Sequence, residues 1–423
     1  MRFDARLLQQ AADWLAVAVV VSLPWSTSTS GILIVLWLVA VLPTFAVADM
    51  RRELLTAAGG LPVLLWALAA VGMLWADVSW AERIDGLGGF HRLLAIPLLL
   101  AQFRRSELGP CACYGFLASA TVVLVLSSLL ALMPPWLVAR IPVFGRHDMD
   151  YGVPVKDYVL QSGIFLICAF GLIGAACERW REARWRTIAA LLCLAACFLA
   201  NIAFVATART TVMVAPFLAI VIGYRYFGWR GVALAGIVAA ALAGVALTAS
   251  PYLHSRVMHS FTELRNYLNK DEVNSTGLHM EFLKKSAAIV EAAPIIGHGT
   301  GSIAAQFRLT ASGDAGSASA VTTVNPHSQI FAVAIELGAV GAAVLLAMWA
   351  AHVLLFRGAG LMASIGTIIV VQNFLSSLVN WHLFDFGQGW LYVFGVGIVG
   401  GTVLRDAQRP PAAPPAASPV AKP

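Results

Sequence analysis

Three groups of residues around and beyond the middle of the chain have the types and spacings to hold an anion and to move a proton. Arg209 lies in NIAFVATARTTVMVAPF, flanked by Thr207 and Thr210 in an otherwise apolar stretch. An ionisable group there is costly and faces the protein interior with a partner, yet no acidic residue stands near it in sequence. It can bond backbone carbonyls, or it can bind an anionic ligand. A helix starting at this point would favour the anion, through its free amides and the positive end of its dipole. IIGHGTGS is the next group. Gly297, Gly299 and Gly301 let backbone amides converge on phosphate oxygens as a nest. That makes His298, Gly299 and Gly301 candidate substrate contacts, with a plain turn as the alternative; the run lacks the Lys of a nucleotide-binding loop. The third group is NPHSQIFAVAIELG. Here Asn325 can cap a helix, Pro326 suits its first position and His327 falls in the first turn. A helix N-terminus disfavours the imidazolium, so a neutral His327 able to accept a proton is expected. A simple hydrogen-bonding histidine is the alternative. His254, His259 and His279 have no comparable placement.

The elements that position these residues must cross a membrane. Hydrophobic residues make up 59% of the 423 and charged residues only 12%, about half the charged fraction of a soluble globular chain. Apolar runs of about 17–25 residues, the length that spans a hydrocarbon core, recur from end to end. They are continuously apolar rather than alternating, which excludes a β-barrel. The fold class expected is an all-α polytopic membrane protein of about twelve transmembrane helices. The ranges are 12–24, 31–48, 61–75, 90–102, 111–133, 158–176, 188–206, 211–227, 231–250, 328–350, 361–380 and 389–404, the fourth interrupted at Pro97. The N-terminus shows no cleavage site, so its first run is expected to be retained. The six cysteines lie in or beside apolar runs without metal-site or disulfide spacing and read as small core residues. The net charge of +6 forms no basic stripe with interleaved aromatics, so no nucleic acid is expected.

Cation placement orients the chain. With both termini in the cytoplasm, Arg51, Arg52, Arg104, Arg105, Arg179, Arg181, Arg184, Arg186, Arg225, Arg230 and Arg357 fall on the inner side, at higher density than on the outer side. The division expected is a transmembrane region over 1–250, a periplasmic loop domain over 251–327, C-terminal transmembrane helices over 328–404, and a disordered Pro/Ala-rich tail over 405–423. The outer segment exceeds what a connection needs and shows helical spacing in SRVMHSFTELRNYLNK and HMEFLKKSAAIVEAA, so it is expected to be folded. Cations left outside include Arg83, Arg92, Arg146, Lys156, Arg209 and Arg265.

Outside the membrane there is no ATP, so a reaction there needs a donor already activated, of which lipid-linked diphosphate sugars are the obvious class. Glycosyl transfer from such a donor needs a base for the acceptor hydroxyl and positive charge for the departing diphosphate. A neutral His and several Arg supply both. The first outer loop, PWSTSTSG, has no carboxylate, and the outer Asp-x-Asp is Asp148–Asp150 in RHDMDYG. Chemistry without a metal or other cofactor is the expectation.

ATART, the long outer loop with Arg265, then NST, P-x-x-G-x-G-x-G, and PHSQ opening a span with ELG-x-x-G resemble the O-antigen ligase family, whose layout O-antigen polymerases and bacterial O-oligosaccharyltransferases share. The resemblance covers most of the chain in topology and about 205–341 in distinctive motifs. It implies a membrane-embedded glycosyltransferase of the C type (GT-C). Such an enzyme moves O-antigen polysaccharide from undecaprenyl diphosphate to a sugar hydroxyl of the lipid A core at the inner membrane, without metal and with inversion. By that match Arg209 and Arg265 hold diphosphate and His327 is the base. Arg146 is expected as a third diphosphate contact and Lys156 as a further substrate contact. The wider superfamily often has Arg after NST where this chain has His279, so no role is carried to that position. A polymerase, a protein O-oligosaccharyltransferase and, in another class, a transporter are the alternatives. Against a transporter stand the large outer segment and the lack of an internal repeat.

Overall fold

The computed structural model describes residues 5–134, 136, 152–180, 182–249, 251–314 and 316–408. Arg140, Arg146, Asp148, Asp150, Arg181 and the tail from 409 onwards lie outside the described residues, as do the side chains of His254 and Arg256.

Among the described residues the chain is helical, with no β-strand. The first half holds α1 (Ala5–Ser22), α2 (Thr27–Val41), α3 (Val47–Leu54), α4 (Ala57–Gly72), α5 (Trp80–His91), α6 (Ala95–Phe103) and α7 (Gly109–Leu132). Then come α8 (Tyr158–Trp180), α9 (Trp185–Phe204), α10 (Arg209–Ala249), α11 (Pro251–Lys270), α12 (Ser275–Ala292) and α13 (Ile303–Leu309). The chain closes with α14 (Gln329–Leu355), α15 (Leu361–Ser376) and α16 (Phe386–Asp406). Eight stretches are long and apolar enough to cross a membrane: Thr27–Thr44, Trp80–Phe103, Gly109–Leu132, Tyr158–Trp180, Trp185–Phe204, Arg209–Val238, Gln329–Leu355 and Phe386–Asp406. A ninth arises if α3 and α4, bent by 88° at their junction, count as one span. The expected ranges 12–24 and 361–380 hold helix in α1 and α15, outside those eight, while 231–250 lies in the later part of α10 and shares 231–238 with the Arg209–Val238 stretch.

Three irregularities interrupt the helices. The fourth range is interrupted at a tight turn over Arg92–Leu94, not at Pro97, which sits in the first turn of α6 where its missing N–H costs nothing. α10 breaks at Gly228, with φ 61° and ψ −148°. α14 breaks at Gly338, with φ 62° and ψ −160°, inside an apolar span. Backbone freed there must be satisfied by protein, since hydrocarbon offers no partner. The Gly-rich loop does this. His298 N and Gly299 N donate to the carbonyls of Ile335 and Glu336 at 2.8 and 2.9 Å, and Ala339 N and Val340 N donate to those of Pro294 and Ile295 at 2.8 and 3.2 Å.

The interior carries fixed polar pairs. Glu53, fully buried, receives two bonds from Arg104 at 2.8 and 3.0 Å, tying α3 to the end of α6. Gln102 bridges Trp37 Nε1 and the Asp13 carboxylate at 2.8 and 2.7 Å. The cysteine expectation needs correction. Cys168 is buried and Cys111, Cys113 and Cys177 are half-buried, but Cys193 and Cys197 on α9 are exposed.

Candidate active site

The 251–327 segment folds as helices that dock on the bundle. Asn274 caps α12, its Oδ1 accepting from Gly277 N at 2.7 Å, while its Nδ2 donates to the Glu263 carbonyl of α11 at 2.9 Å. α12 turns Phe282 and Ile289 inward onto Ile303 and Phe307 of α13 and onto Ala332 and Ile335 of α14. Buried Lys285 clamps the short 3-10 turn at Ala318–Ala320 and the residue after it, donating to the carbonyls of Ser319 and Val321 at 2.6 and 3.0 Å.

This docking brings α12 against the two residues of greatest chemical interest. Arg209 begins α10, as its threonine-flanked position suggested, and its partner is not a backbone carbonyl. Its Nη1 donates to Thr276 Oγ1 at 3.2 Å and its Nη2 lies 3.6 Å from Glu263 Oε2. Thr276 in turn donates to Glu263. Burial works to raise the Glu263 carboxyl, but its Thr276 bonds and the Arg209 charge outweigh it and hold the group below its usual range. The Arg209 side chain is 43% exposed, so part of its donor fork faces open space.

His327 departs from the expected first helical turn. α14 starts at Gln329, Ser328 is its extended cap residue, and His327 lies before the helix at φ 53°. Asn325 does not cap that helix; its Oδ1 accepts from His327 N at 2.8 Å, an Asx-type turn that supports the left-handed backbone. The turn is bolted down on both sides. Asn325 Nδ2 donates to Asn380 Oδ1 at 3.2 Å, and Gln329 N donates to the carbonyls of Ser377 and Asn380 at 2.8 and 3.0 Å. Strain of this kind, of order 1–3 kcal/mol, persists where the surroundings over-determine it. The ring it presents meets His279 at a centroid distance of 4.1 Å and stacks on Phe282 at 5.6 Å. Its Nδ1 is buried without a hydrogen-bond partner. Burial first, then neighbouring His279, push the imidazole down to about 4, so it stands neutral near pH 7. Burial and then Arg209 lower His279 too, which sets Arg209, His279 and His327 in one electrostatic neighbourhood.

The other candidates are placed elsewhere. Arg265 is exposed on α11, two residues from Glu263 and so about 200° around the helix from it. Its guanidinium has no hydrogen bond or ion pair among the described residues. Lys156, at φ 58°, donates to the Leu23 carbonyl at 2.7 Å and shares a second polar cluster with Asp157, Asp385 and Arg92. Arg146 lies outside the described residues. The nest reading of the glycine run meets a physical obstacle: its amides are spent. Besides the bonds to α14, Thr300 N donates to the Gly72 carbonyl at 3.2 Å and Gly301 N to Glu336 Oε1 at 2.8 Å. The His298 ring bonds the Ile289 carbonyl at 2.9 Å. His298, Gly299 and Gly301 thus bond to α14, and Thr300 between them to α4, so no amide of theirs is left for a phosphate.

Sequence reasoning passed over Thr276, His279, Phe282 and Glu263. A signal for three of them was present: once NST is read as a helix cap, spacings of three put Thr276, His279 and Phe282 along one side of α12. No curated protein matches the chain. Residues 194–346, a stretch that contains Arg209, His279 and His327, match the family model described as O-antigen ligase, and that match supports assignment of the chain to the O-antigen ligase family.

Proposed function

We propose that the chain is a lipid-diphosphate-dependent glycosyltransferase acting as an O-antigen ligase. The family match supports a function of the ligase or polymerase type in general; the finer reading rests on the site. The observation that carries it is the His327 ring, neutral and short of a partner, joined through His279 to the half-exposed Arg209 at the start of an apolar helix. In this reading the acceptor hydroxyl gives its proton to Nε2 of His327, the ring nitrogen not shut off from solvent. The freed oxygen attacks the anomeric carbon of the donor sugar. The bond from that carbon to the bridging phosphate oxygen breaks, and its electron pair leaves with undecaprenyl diphosphate, whose added charge Arg209 meets with a planar fork of donors. The proton then passes from His327 to solvent. Attack opposite the leaving group inverts the anomeric centre.

Arg265 enters as a headgroup contact made when the donor is present, and Lys156 and Arg146 as candidate contacts beyond the first phosphate. The guanidinium groups supply the positive charge, so no metal is invoked. The donor is an O-antigen chain on undecaprenyl diphosphate, the acceptor a sugar hydroxyl of lipid A core, and the site faces the periplasm from the inner membrane. Twelve crossings in a GT-C arrangement follow if α1, α4, the later part of α10 and α15 cross as well as the eight longer stretches.

Reconstitution with purified lipid-linked glycan and lipid A core is the test. A joined product in excess chelator supports the reading. Transfer only between two lipid-linked glycans would make the protein a polymerase, and inhibition by chelator reversed by magnesium would defeat the metal-free step.

A further inference from the structure

The mechanism above uses one of the two histidine rings that meet at the site. His279, on α12, lies with its ring centroid 4.1 Å from that of His327 and tilted by 56°. Phe282 lies parallel to His327 within 2°, at 5.6 Å. Both neighbours come from one helix at positions three apart, adjacent on its surface. A single rigid element therefore grips the His327 ring. Hydrogen bonding does not: among the described residues Nδ1 is buried without a partner, and the bond that fixes the residue is its backbone N–H to Asn325. A base is usually oriented by a carboxylate or carbonyl on its second nitrogen. Here ring contacts take that place.

The pair also shares an electrostatic constraint. Two imidazolium rings in contact repel, so the second proton on such a pair is strongly disfavoured. Of the groups around the pair, one charge adds to this. Arg209 from α10 acts on His279. Glu263 from α11 is engaged with Arg209 and Thr276. α13 meets the grip through uncharged Phe307, and the 377–383 segment meets the His327 turn through uncharged Asn380.

We propose that His279 is a positioning residue for His327: its ring fixes the plane of the neighbouring imidazole and, by competing for the same proton, keeps that imidazole free to accept one. The inference rests on His327 being the base. Acid conditions put the first proton on His279, and its charge then holds the second off His327. Burial of His327 acts in the same direction and more strongly, so removing His279 shifts the titration only part of the way back.

The experiment measures transfer rate against pH for the full-length protein in lipid vesicles, with His279→Gln, His279→Phe and His327→Ala as variants. His279→Gln removes the competing charge and the ring. Its kcat is expected to fall about tenfold with donor KM changed less than twofold, and the acid limb of kcat is expected to move up by about half to one pH unit, a three- to tenfold loss of relative rate below the limb. His279→Phe keeps a ring against His327, so its plateau falls less while its limb moves alike; it also serves if the Gln variant does not fold. A plateau that drops with an unmoved limb would overturn the inference, because a purely structural residue behaves that way. So would a change confined to donor KM, which would make His279 a donor contact. Full activity in His327→Ala defeats the base itself; an inactive His327→Ala beside an unmoved limb in the His279 variants defeats only the role of His279.

Discussion

His298 and His327 sit in the same docked segment, each beside a left-handed turn, and they do opposite things. His298 follows Gly297, its amide bonds the Ile335 carbonyl, and its ring bonds the Ile289 carbonyl. Around it the amides of Gly297, Gly299, Thr300, Gly301 and Ser302 all find protein acceptors. His327 has a side-chain acceptor for its amide and nothing for its buried Nδ1. The first region spends its hydrogen-bonding capacity on closing a gap in α14; the second holds capacity back at a cost in strain. Buried polar groups are normally satisfied, so one that is not calls for an explanation. Between these two histidines the difference is unmet capacity, not residue type.

The largest test of that contrast compares the two histidines. His327→Ala is expected to lower the transfer rate by about 10²–10⁴-fold, the range for loss of a general base, with donor binding retained. His298→Ala is expected to leave the rate per folded molecule within about twofold and to cost about 1 kcal/mol of stability through the lost bond. Rates from matched amounts of folded protein decide it, and equal losses in both variants would erase the distinction.

A second test strikes the scaffold alone. A Cβ on Gly338 would lie 2.2 Å from the Ile295 carbonyl oxygen, at a backbone conformation closed to other residues. Gly338→Ala is expected to cost about 1–3 kcal/mol or more, read as a lower melting temperature in detergent, with kcat per folded molecule unchanged. A stable variant with impaired kcat would mean that the glycine clasp takes part in the reaction after all.

These two regions also show what could be read from the sequence. The long spans were visible because hydrocarbon imposes a length and a composition on each crossing helix by itself. The break at Gly228 was visible because charged Arg225 and Arg230 bracket it. PIIGHGTGS was visible as a motif, but its meaning depends on acceptors supplied by α14, and the same glycines serve a phosphate nest or a backbone clasp equally well. His327 was found from its turn residues and misplaced by one cap: Asn325 and Pro326 suit a helix start, yet tertiary bonds from Asn380 and Ser377 move the start to Gln329. His279 could be phased on α12 from the Asn274 cap. That it touches His327 is a matter of how α12 docks on α14, which no local pattern encodes.

The smallest effect expected separates the two arginines that the sequence treated alike. Arg209 is anchored by Thr276 and Glu263 while leaving part of its fork open, and anchoring before the ligand arrives lowers the entropy lost on binding. Arg265 extends from the exposed side of α11 with no partner among the described residues, so it must be ordered by whatever it contacts. Arg209→Ala is therefore expected to weaken donor affinity about tenfold, with Arg209→Lys recovering little because an ammonium does not reproduce the planar fork. Arg265→Ala is expected to weaken it about threefold, in the range of exposed charge contacts, and that loss should shrink as salt is raised past physiological ionic strength. Donor affinities measured for both variants at two salt concentrations would show it. An Arg265 loss as large as that of Arg209, and indifferent to salt, would mean that α11 turns Arg265 into the site when donor binds.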